Sequence, residues 1–310
     1  MRITRRGLQL ALAALWLLDA ALQFQPYMFT RAFAHDAISP VGDGQPGFVA
    51  GPVHFASHVI AAHPVAINVA FALVQLAIAI GLVVRRTSRL ALLASLAWSA
   101  SVWWLGEGLG GLASGHAMLL TGAPGAVLVY AVIALAALPR DTVDGRGEAP
   151  GTFAVVGWVA VWAIGALFQA LPGQNSAGDI AAALRDDAGS VPGWLAHPTR
   201  MLAANVDHHG AVVVAFIVLP LLIAVAAIVP GAPRVAATTA GGLLAAGFWA
   251  FGQGFGQLFS GESTDPNTGP LLILLAFATA AAVTQRAPAR ATAETHATAG
   301  LTSRYAPAAT

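Results

Sequence analysis

The chain has 310 residues, of which 57% are hydrophobic and only 9% are charged, and its formal net charge is +1. Soluble domains carry about 25% charged residues, so this composition excludes an ordinary soluble enzyme and predicts a multi-pass membrane protein. The absence of cysteine excludes disulfides, thiolate metal sites and cysteine redox chemistry. No basic run is dense enough to predict a nucleic-acid partner.

Eight apolar segments follow one another along the chain, each close to the ~20 residues that a helix needs to cross a bilayer. They lie at residues 7–25, 65–84, 88–107, 122–138, 152–171, 211–230, 235–254 and 269–285. Of the fifteen arginines, only Arg31, Arg185 and Arg200 fall on one side of this eight-span arrangement. The positive-inside rule therefore places both termini in the cytoplasm. The predicted location is a bacterial cytoplasmic membrane, with the lipid bilayer as partner.

The two halves of the sequence resemble each other at a fixed distance. The matching pairs, all 146 residues apart, include Trp16 with Trp162, Gln23 with Gln169, Trp103 with Trp249, and Pro124 with Pro270. This pattern predicts two tandem four-helix membrane units in the same orientation. The first unit takes residues 1–138, a cytoplasmic linker 139–151, the second unit 152–285, and a disordered cytoplasmic tail 286–310.

An acidic residue inside a membrane span is costly, so it predicts a functional site. Asp19 is such a residue, and it shares one helix face with Trp16 and Gln23 at spacings i, i+3 and i+7. The second unit repeats this face as Trp162, Gly165 and Gln169, without the acid. The alternative is a protonated or hydrogen-bonded acid whose role is packing.

Residues 106–111, with the sequence GEGLGG, have the G-x-G-x-x-G spacing of dinucleotide-binding loops. Such a loop needs a preceding strand, whereas these glycines end a membrane span, so we predict no nucleotide partner. They favour close helix packing or a helix end that unwinds into a turn. At their centre Glu107 stands where the second unit has Gln253. We expect Asp19 and Glu107 to share a polar cavity on the outer side. The candidate residues for polar cavities are Asp19, Gln23, Trp103, Glu107, Gln169 and Gln253.

The long outer connections at residues 26–64 and 172–210 exceed ordinary loop lengths. Within them, the segments GPVHFASHVIAAHP and HPTRMLAANVDHHG predict short helices that cap the bundle. A turn-rich acidic loop follows at residues 260–270, where we expect Glu262 and Asp265 to be solvated.

Eight of the nine histidines fall on the predicted outer side. His54 and His58 lie one helical turn apart, so together with His63 and His116 they are candidate ligands of Zn, Cu or Fe, with Glu107 as an oxygen ligand. The alternatives are separate histidines at the membrane interface and a proton- or quinone-linked role.

Each unit resembles the DoxX-like family of four-helix membrane proteins. The features that carry the resemblance are a first span that ends in a Gln/Pro segment (ALQFQPYMF), a long outer connection, and a span that ends in a short basic turn (LAIAIGLVVRRTSR). The whole chain is also similar to membrane proteins of high-GC bacteria. The resemblance implies a membrane module associated with redox systems and quinone, with a membrane redox partner. It assigns no catalytic residue. The alternatives are a metal-handling protein and a non-catalytic assembly partner with a packed interior.

Overall fold

The computed structural model describes residues 3–139, 150, 152–171 and 176–284. Within these ranges the chain is helical and contains no strand, which confirms the predicted all-α class. The α-helices are α1 (Arg5–Leu22), α2 (Gly47–Ala62), α3 (Pro64–Val83), α4 (Ser88–Leu105), α5 (Ala126–Ala137), α6 (Thr152–Gln169), α7 (Ala177–Ser190), α8 (Gly193–Asp207), α9 (Ala211–Ile228), α10 (Ala232–Phe251) and α11 (Thr268–Thr284).

Two groups of four helices form the body of the protein. In the first group α1 packs against α3 and α5, and α4 packs against the same two helices. In the second group α6 packs against α9 and α11, and α10 packs against the same two helices. The groups meet where α5 contacts α6 and α11, and one hydrophobic core runs through both. The order of neighbours is therefore the same in the two groups.

An arginine side chain caps the C-terminal end of one helix in each group. Arg6 donates to the carbonyl oxygen of Leu82 at 2.8 Å at the end of α3. Arg234 donates from Nε to the carbonyl oxygen of Ala227 at 2.6 Å at the end of α9. The last carbonyls of a helix lack partners within it and carry partial negative charge. Both arginines therefore stabilise the ends of α3 and α9.

Each of the eight predicted spans overlaps a helix, although α5, at Ala126–Ala137, covers only 12 residues of the predicted span 122–138. Three helices are long and apolar enough to cross a membrane by length and composition, namely α3, α6 and α9. Shorter apolar helices occur at Gly47–Ala62, Ala126–Ala137 and Thr268–Ala282. These helices indicate a membrane protein. The predicted linker, apart from residues 139 and 150, and the predicted tail lie outside the described residues.

The outer connections contain the two expected short α-helices and one further α-helix, and the first connection also contains a 3-10 helix at Pro26–Phe29, a π-helix at Phe33–Ile38 and a 3-10 helix at Ser39–Gly42. The expected helices are α2 and α8, whereas α7 was not predicted because its sequence, AGDIAAALRDDAGS, is charged rather than apolar. A local signal was present. The Ser176 hydroxyl accepts from the Asp179 amide at 3.0 Å, and the Asp179 carboxylate accepts from the Ser176 amide at 3.2 Å. This reciprocal capping box starts the helix.

Candidate functional site

A cavity of about 320 Å³ lies in the first helix group, within the size range of small-molecule sites. Aromatic and aliphatic side chains form most of its wall, including Phe33, Phe71 and Trp98. At its edge Phe55 is 69% exposed and Leu105 is 38% exposed, so the cavity opens between α2 and α4. Its character is that of an apolar pocket with a few polar groups.

The α1 face predicted from the sequence forms one side of this cavity. Trp16, Asp19 and Gln23 all line it, and all three are buried. The Trp16 indole donates to the Ser95 hydroxyl at 3.0 Å, and the backbone carbonyl of Gln23 accepts from the Asn68 side chain at 2.7 Å. These two bonds tie α1 to α4 and α3. Asp19 is thus held in the wall at 2% exposure.

A tight turn after α4 brings Glu107 to the same cavity. The helix ends at Leu105, so the glycines form a turn and not a helix-packing motif. Gly110 has φ of 64°, and a Cβ there would lie 1.9 Å from the carbonyl oxygen of Pro124. Only glycine combines this conformation with this close approach. The Trp103 indole donates to the same Pro124 carbonyl at 2.8 Å, so Trp103 fixes the turn and is not part of the cavity wall.

The two carboxyl oxygens of Glu107 have different surroundings. Oε1 accepts from the backbone amide of Val127 at 3.2 Å, at the start of α5. Oε2 is buried and has no hydrogen-bond partner among the described residues. Burial is the main cause that raises the pKa of Glu107 to about 8, and the nearby Asp265 carboxylate adds to it. A carboxyl with such a pKa exchanges its proton near neutral pH.

A third acid reaches the cavity from the second half of the chain. Asp265 was expected to be solvated, but it lines the cavity together with Thr264, whereas Glu262 is exposed. Burial raises the pKa of Asp265, while hydrogen bonds from the Thr264 hydroxyl and the Asn267 amide oppose the rise. Its loop folds back across the boundary between the two helix groups, which composition and spacing could not indicate.

The corresponding face of the second group lines no such cavity. Trp162, Gly165 and Gln169 are buried, but the space beside them is taken by the first half of the chain. A Cβ on Gly165 would lie 2.2 Å from Cδ1 of Leu119, and one on Gly252 would lie 2.4 Å from Cδ1 of Leu120. Leu119 and Leu120 therefore pack against the two residues that correspond in sequence to Asp19 and Gly106 of the cavity wall.

Gln253 makes the contact that Glu107 makes, and one more. Its Oε1 accepts from the Gly269 amide at 3.1 Å at the start of α11, and its Nε2 donates to the Leu120 carbonyl at 3.4 Å. Gln253 therefore has partners for both ends of its amide. Its role is to hold the leucine-bearing loop, and it does not face an open cavity.

The tryptophan contact also recurs, with a change of register. The Trp249 indole donates to the Pro266 carbonyl at 2.8 Å, across 17 residues, whereas the Trp103 bond spans 21. The fixed separation of 146 residues between matching positions therefore ends in the loop between α10 and α11. The counterpart of Pro124 in this contact is Pro266, so the predicted pairing of Pro124 with Pro270 is wrong.

The structure does not bring the candidate histidines together. Among the residues it describes, no group of three or more His, Asp or Glu side chains is arranged to hold a metal ion. His54 pairs with Asp43 at 3.6 Å, and His58, His63 and His116 are exposed. Zn, Cu or Fe thus has no assembled set of ligands in the described part of the chain.

Comparison with known proteins gives no relative. The chain matches no protein-family model, and neither a curated protein nor a solved structure is significantly similar to it. The geometry of the site therefore has to support any functional conclusion.

Proposed function

We propose that the protein is a multi-pass membrane subunit, DoxX-like and associated with a redox system, whose first helix group binds a quinone or quinol. The observation that carries this proposal is the cavity wall itself. Asp19, Glu107 and Asp265 share one largely apolar cavity, and Oε2 of Glu107 is buried without a hydrogen-bond partner among the described residues. Buried polar groups are normally satisfied, so such an atom favours a ligand that supplies the missing contact.

The chemistry of the wall suits a ring with exchangeable protons. Aromatic side chains such as Phe71 and Trp98 offer stacking and edge contacts to a flat ring. A carboxyl whose pKa is raised to about 8, as for Glu107, is able to accept a hydrogen bond from a hydroxyl or donate one to a carbonyl. A quinone, when bound, supplies redox chemistry, and the residues of this chain bind it, exclude water and hold or release a proton at Glu107.

The proposed membrane arrangement has eight spans in two parallel four-helix repeats, with both termini in the cytoplasm of a bacterial cell. It is supported by the overlap of every predicted span with a helix and by the same order of neighbours in the two groups. In this orientation the cavity lies towards the outer side. Its exposed edge at Phe55 gives an apolar ligand a way in from the surface of the protein.

The test is to purify the full chain from membranes and to measure bound quinone after organic extraction and oxidation, by its absorption spectrum. We expect about one equivalent per chain. In Glu107→Gln, loss of a hydrogen bond with a carboxyl group is expected to weaken binding about tenfold. Asp187→Asn is the matched control, since Asp187 is a half-buried acid outside the cavity.

Two results decide the outcome. Quinone at the level of an unrelated membrane protein purified in parallel means that the proposal is wrong. Equal quinone in wild type and Glu107→Gln means that the cavity is not its site. Metal analysis of the same samples tests the metal-handling alternative directly. A non-catalytic assembly partner predicts no polar cavity, so the cavity of the first helix group favours the binding proposal over this alternative.

A further inference from the structure

The two long outer connections differ in how they pack on their helix groups. We call residues 26–62 the first cap and residues 177–207, which form α7 and α8, the second cap. Buried side chains of the second cap belong to the core that runs through both helix groups, among them Ile180, Leu184 and Val206. Those of the first cap form a separate apolar cluster, among them Met28, Val49 and Val53. The first cap is therefore a small packed unit with its own core.

The cavity lies between the first cap and the helices beneath it. Phe33, Ile38 and Phe55 line it from the cap, and Phe71 and Trp98 line it from α3 and α4. Side chains that border open space lack contacts on that side, so the cavity weakens the attachment of the cap to the helices. Phe33 and Ile38 are also the first and last residues of the π-helix, a conformation that is frequent at functional sites.

Two hydrogen bonds near the start of α2 hold the first cap to the helix group. The Gln45 side chain donates to the Gly108 carbonyl at 3.0 Å, in the turn after α4. The Trp104 indole donates to the Phe48 carbonyl at 3.2 Å. The position that matches Trp104 in the second group is Ala250, which cannot make this bond. The first cap is thus attached by bonds at its edge, whereas the second is attached through the shared core.

Each end of the first cap is joined to a helix by a non-helical residue that precedes a proline. Gln25, before Pro26, is extended, with φ of −66° and ψ of 140°. His63, between α2 and Pro64, has φ of −137° and ψ of 55°. Proline has no amide hydrogen to donate and disfavours a helical conformation in the residue before it, so neither junction continues a helix. A few backbone angles at these junctions are sufficient to turn the cap as a unit.

We infer that the first cap is a lid over the cavity. It turns about Gln25 and His63, breaks the bonds made by Gln45 and Trp104, and widens the opening beside Phe55 so that a ligand enters and leaves. The second cap stays in place because it is part of the core. The inference deepens the proposed function and rests on it for the identity of the ligand. A quinone in the cavity contacts both the cap and the helices, and therefore favours the closed lid.

The test is a distance measurement by pulsed electron paramagnetic resonance on the purified full chain. The chain has no cysteine, so spin labels attach at introduced cysteines alone. The first pair is Gly51→Cys with Ala97→Cys, on α2 and α4. The matched pair, 146 residues later, is His197→Cys with Leu243→Cys, on α8 and α10. All four positions are exposed. We expect two distances in the first pair, for the closed and the open lid, and one distance in the second pair.

Trp104→Phe removes one bond of the closed lid and is expected to raise the open fraction about twofold to tenfold, the effect of one hydrogen bond. Gln45→Ala removes the other bond and is expected to act in the same way. Trp194→Phe, on the second cap, is the control and is expected to leave both pairs unchanged. A benzoquinone with a decyl chain is expected to lower the open fraction at least about threefold.

The outcomes separate the lid from its ligand. A single distance in the first pair, unchanged in Trp104→Phe and Gln45→Ala, overturns the inference, whereas quinone extracted from the purified protein still supports the binding proposal. Two distances that the benzoquinone leaves unchanged support the lid and contradict the proposal that quinone is its ligand. Two distances in both pairs also overturn the inference, because the movement is then not a property of the cap beside the cavity.

Discussion

The two helix groups share one arrangement of helices, but the first encloses an open cavity and the second is filled by side chains. In the first group Asp19 and Glu107 face an open cavity, and in the second Gly165 and Gln253 lie against Leu119 and Leu120, in the loop that precedes α5. The acids are present where the space is open, and they are replaced where it is filled. The residues that differ between the groups therefore depend on which side chains the loop of the other group places beside them.

The shared parts of the framework concern the turn after the fourth and tenth helices. Leu109 and Gly110 have left-handed backbone conformations, as do Phe255 and Gly256. In both turns an indole donates to a proline carbonyl at 2.8 Å, and the side chain between the helix end and the turn accepts from the next helix. The framework is thus independent of whether the site is open.

The largest effect is expected for Gly110→Ala. A Cβ there would lie 1.9 Å from the Pro124 carbonyl oxygen, and this backbone atom cannot move aside as a side chain can. We expect a loss of stability above about 4 kcal/mol, which belongs to the exceptional class of single substitutions. The measurement is the thermal midpoint of the purified protein in detergent.

Gly111→Ala is the matched control for this change. Gly111 has φ of 70° as well, but its nearest neighbour to a Cβ would be Ser114 Oγ at 3.7 Å. We expect only the left-handed backbone cost of about 1–2 kcal/mol. In the second group, Gly256→Ala is expected to fall between the two, because its nearest contacts would be at 2.6 Å. Equal losses in Gly110→Ala and Gly111→Ala would show that the close approach does not matter.

The next effect concerns the leucine that fills the second group. Gly165→Ala places a Cβ 2.2 Å from Leu119, which is buried, so we expect overpacking to cost about 1–3 kcal/mol. In the background Leu119→Ala the clash disappears. The same change is then expected to stabilise α6 by about 1 kcal/mol, the ordinary gain of alanine over glycine in a helix.

This change of sign is the informative result. It is measured as a double-mutant cycle on thermal midpoints, in which residues in contact show non-additive effects. If Gly165→Ala destabilises the protein equally in both backgrounds, Leu119 is not the cause of the loss. The explanation that Leu119 leaves no space for an acid at position 165 is then wrong.

Local patterns in the sequence predicted the helices and one wall of the cavity. The hydrophobic segments indicated every helix of the two groups, and the i, i+3, i+7 spacing indicated the face of Trp16, Asp19 and Gln23. The repeat identified Glu107 by its difference from Gln253. Asp265 and Leu119 could not be predicted, because a short polar or apolar segment contains no signal that it crosses to the opposite helix group.

The third prediction concerns how the stability of the protein depends on pH through Glu107 and its counterpart Gln253. In the unfolded chain Glu107 ionises near 4.5, whereas in the folded protein burial raises its pKa to about 8. The unfolded state therefore binds fewer protons between these values, and stability falls as pH rises through this window. We expect the thermal midpoint of wild type to fall from pH 5 to pH 8, and that of Glu107→Gln to fall less.

The reverse change, Gln253→Glu, is expected to introduce such a fall in the second group. The amide that donates to the Leu120 carbonyl becomes a carboxylate that repels it when ionised. A buried acceptor left without a donor costs about 1–3 kcal/mol, so the loss is expected at pH 8 and not at pH 5. A loss that does not depend on pH would contradict this account of the pair.

The smallest effects are expected for Trp103→Phe and Trp249→Phe. Each removes one indole hydrogen bond to a proline carbonyl at 2.8 Å while keeping an aromatic ring. A single hydrogen bond contributes about 0.5–1.5 kcal/mol, and we expect the two losses to agree within this range. Both indole contacts belong to the shared framework, so the open and the filled group are expected to respond alike. Thermal midpoints of both variants check this, and a loss confined to Trp103→Phe would mean that the turn beside Glu107 depends on its tryptophan in a way that the turn beside Gln253 does not.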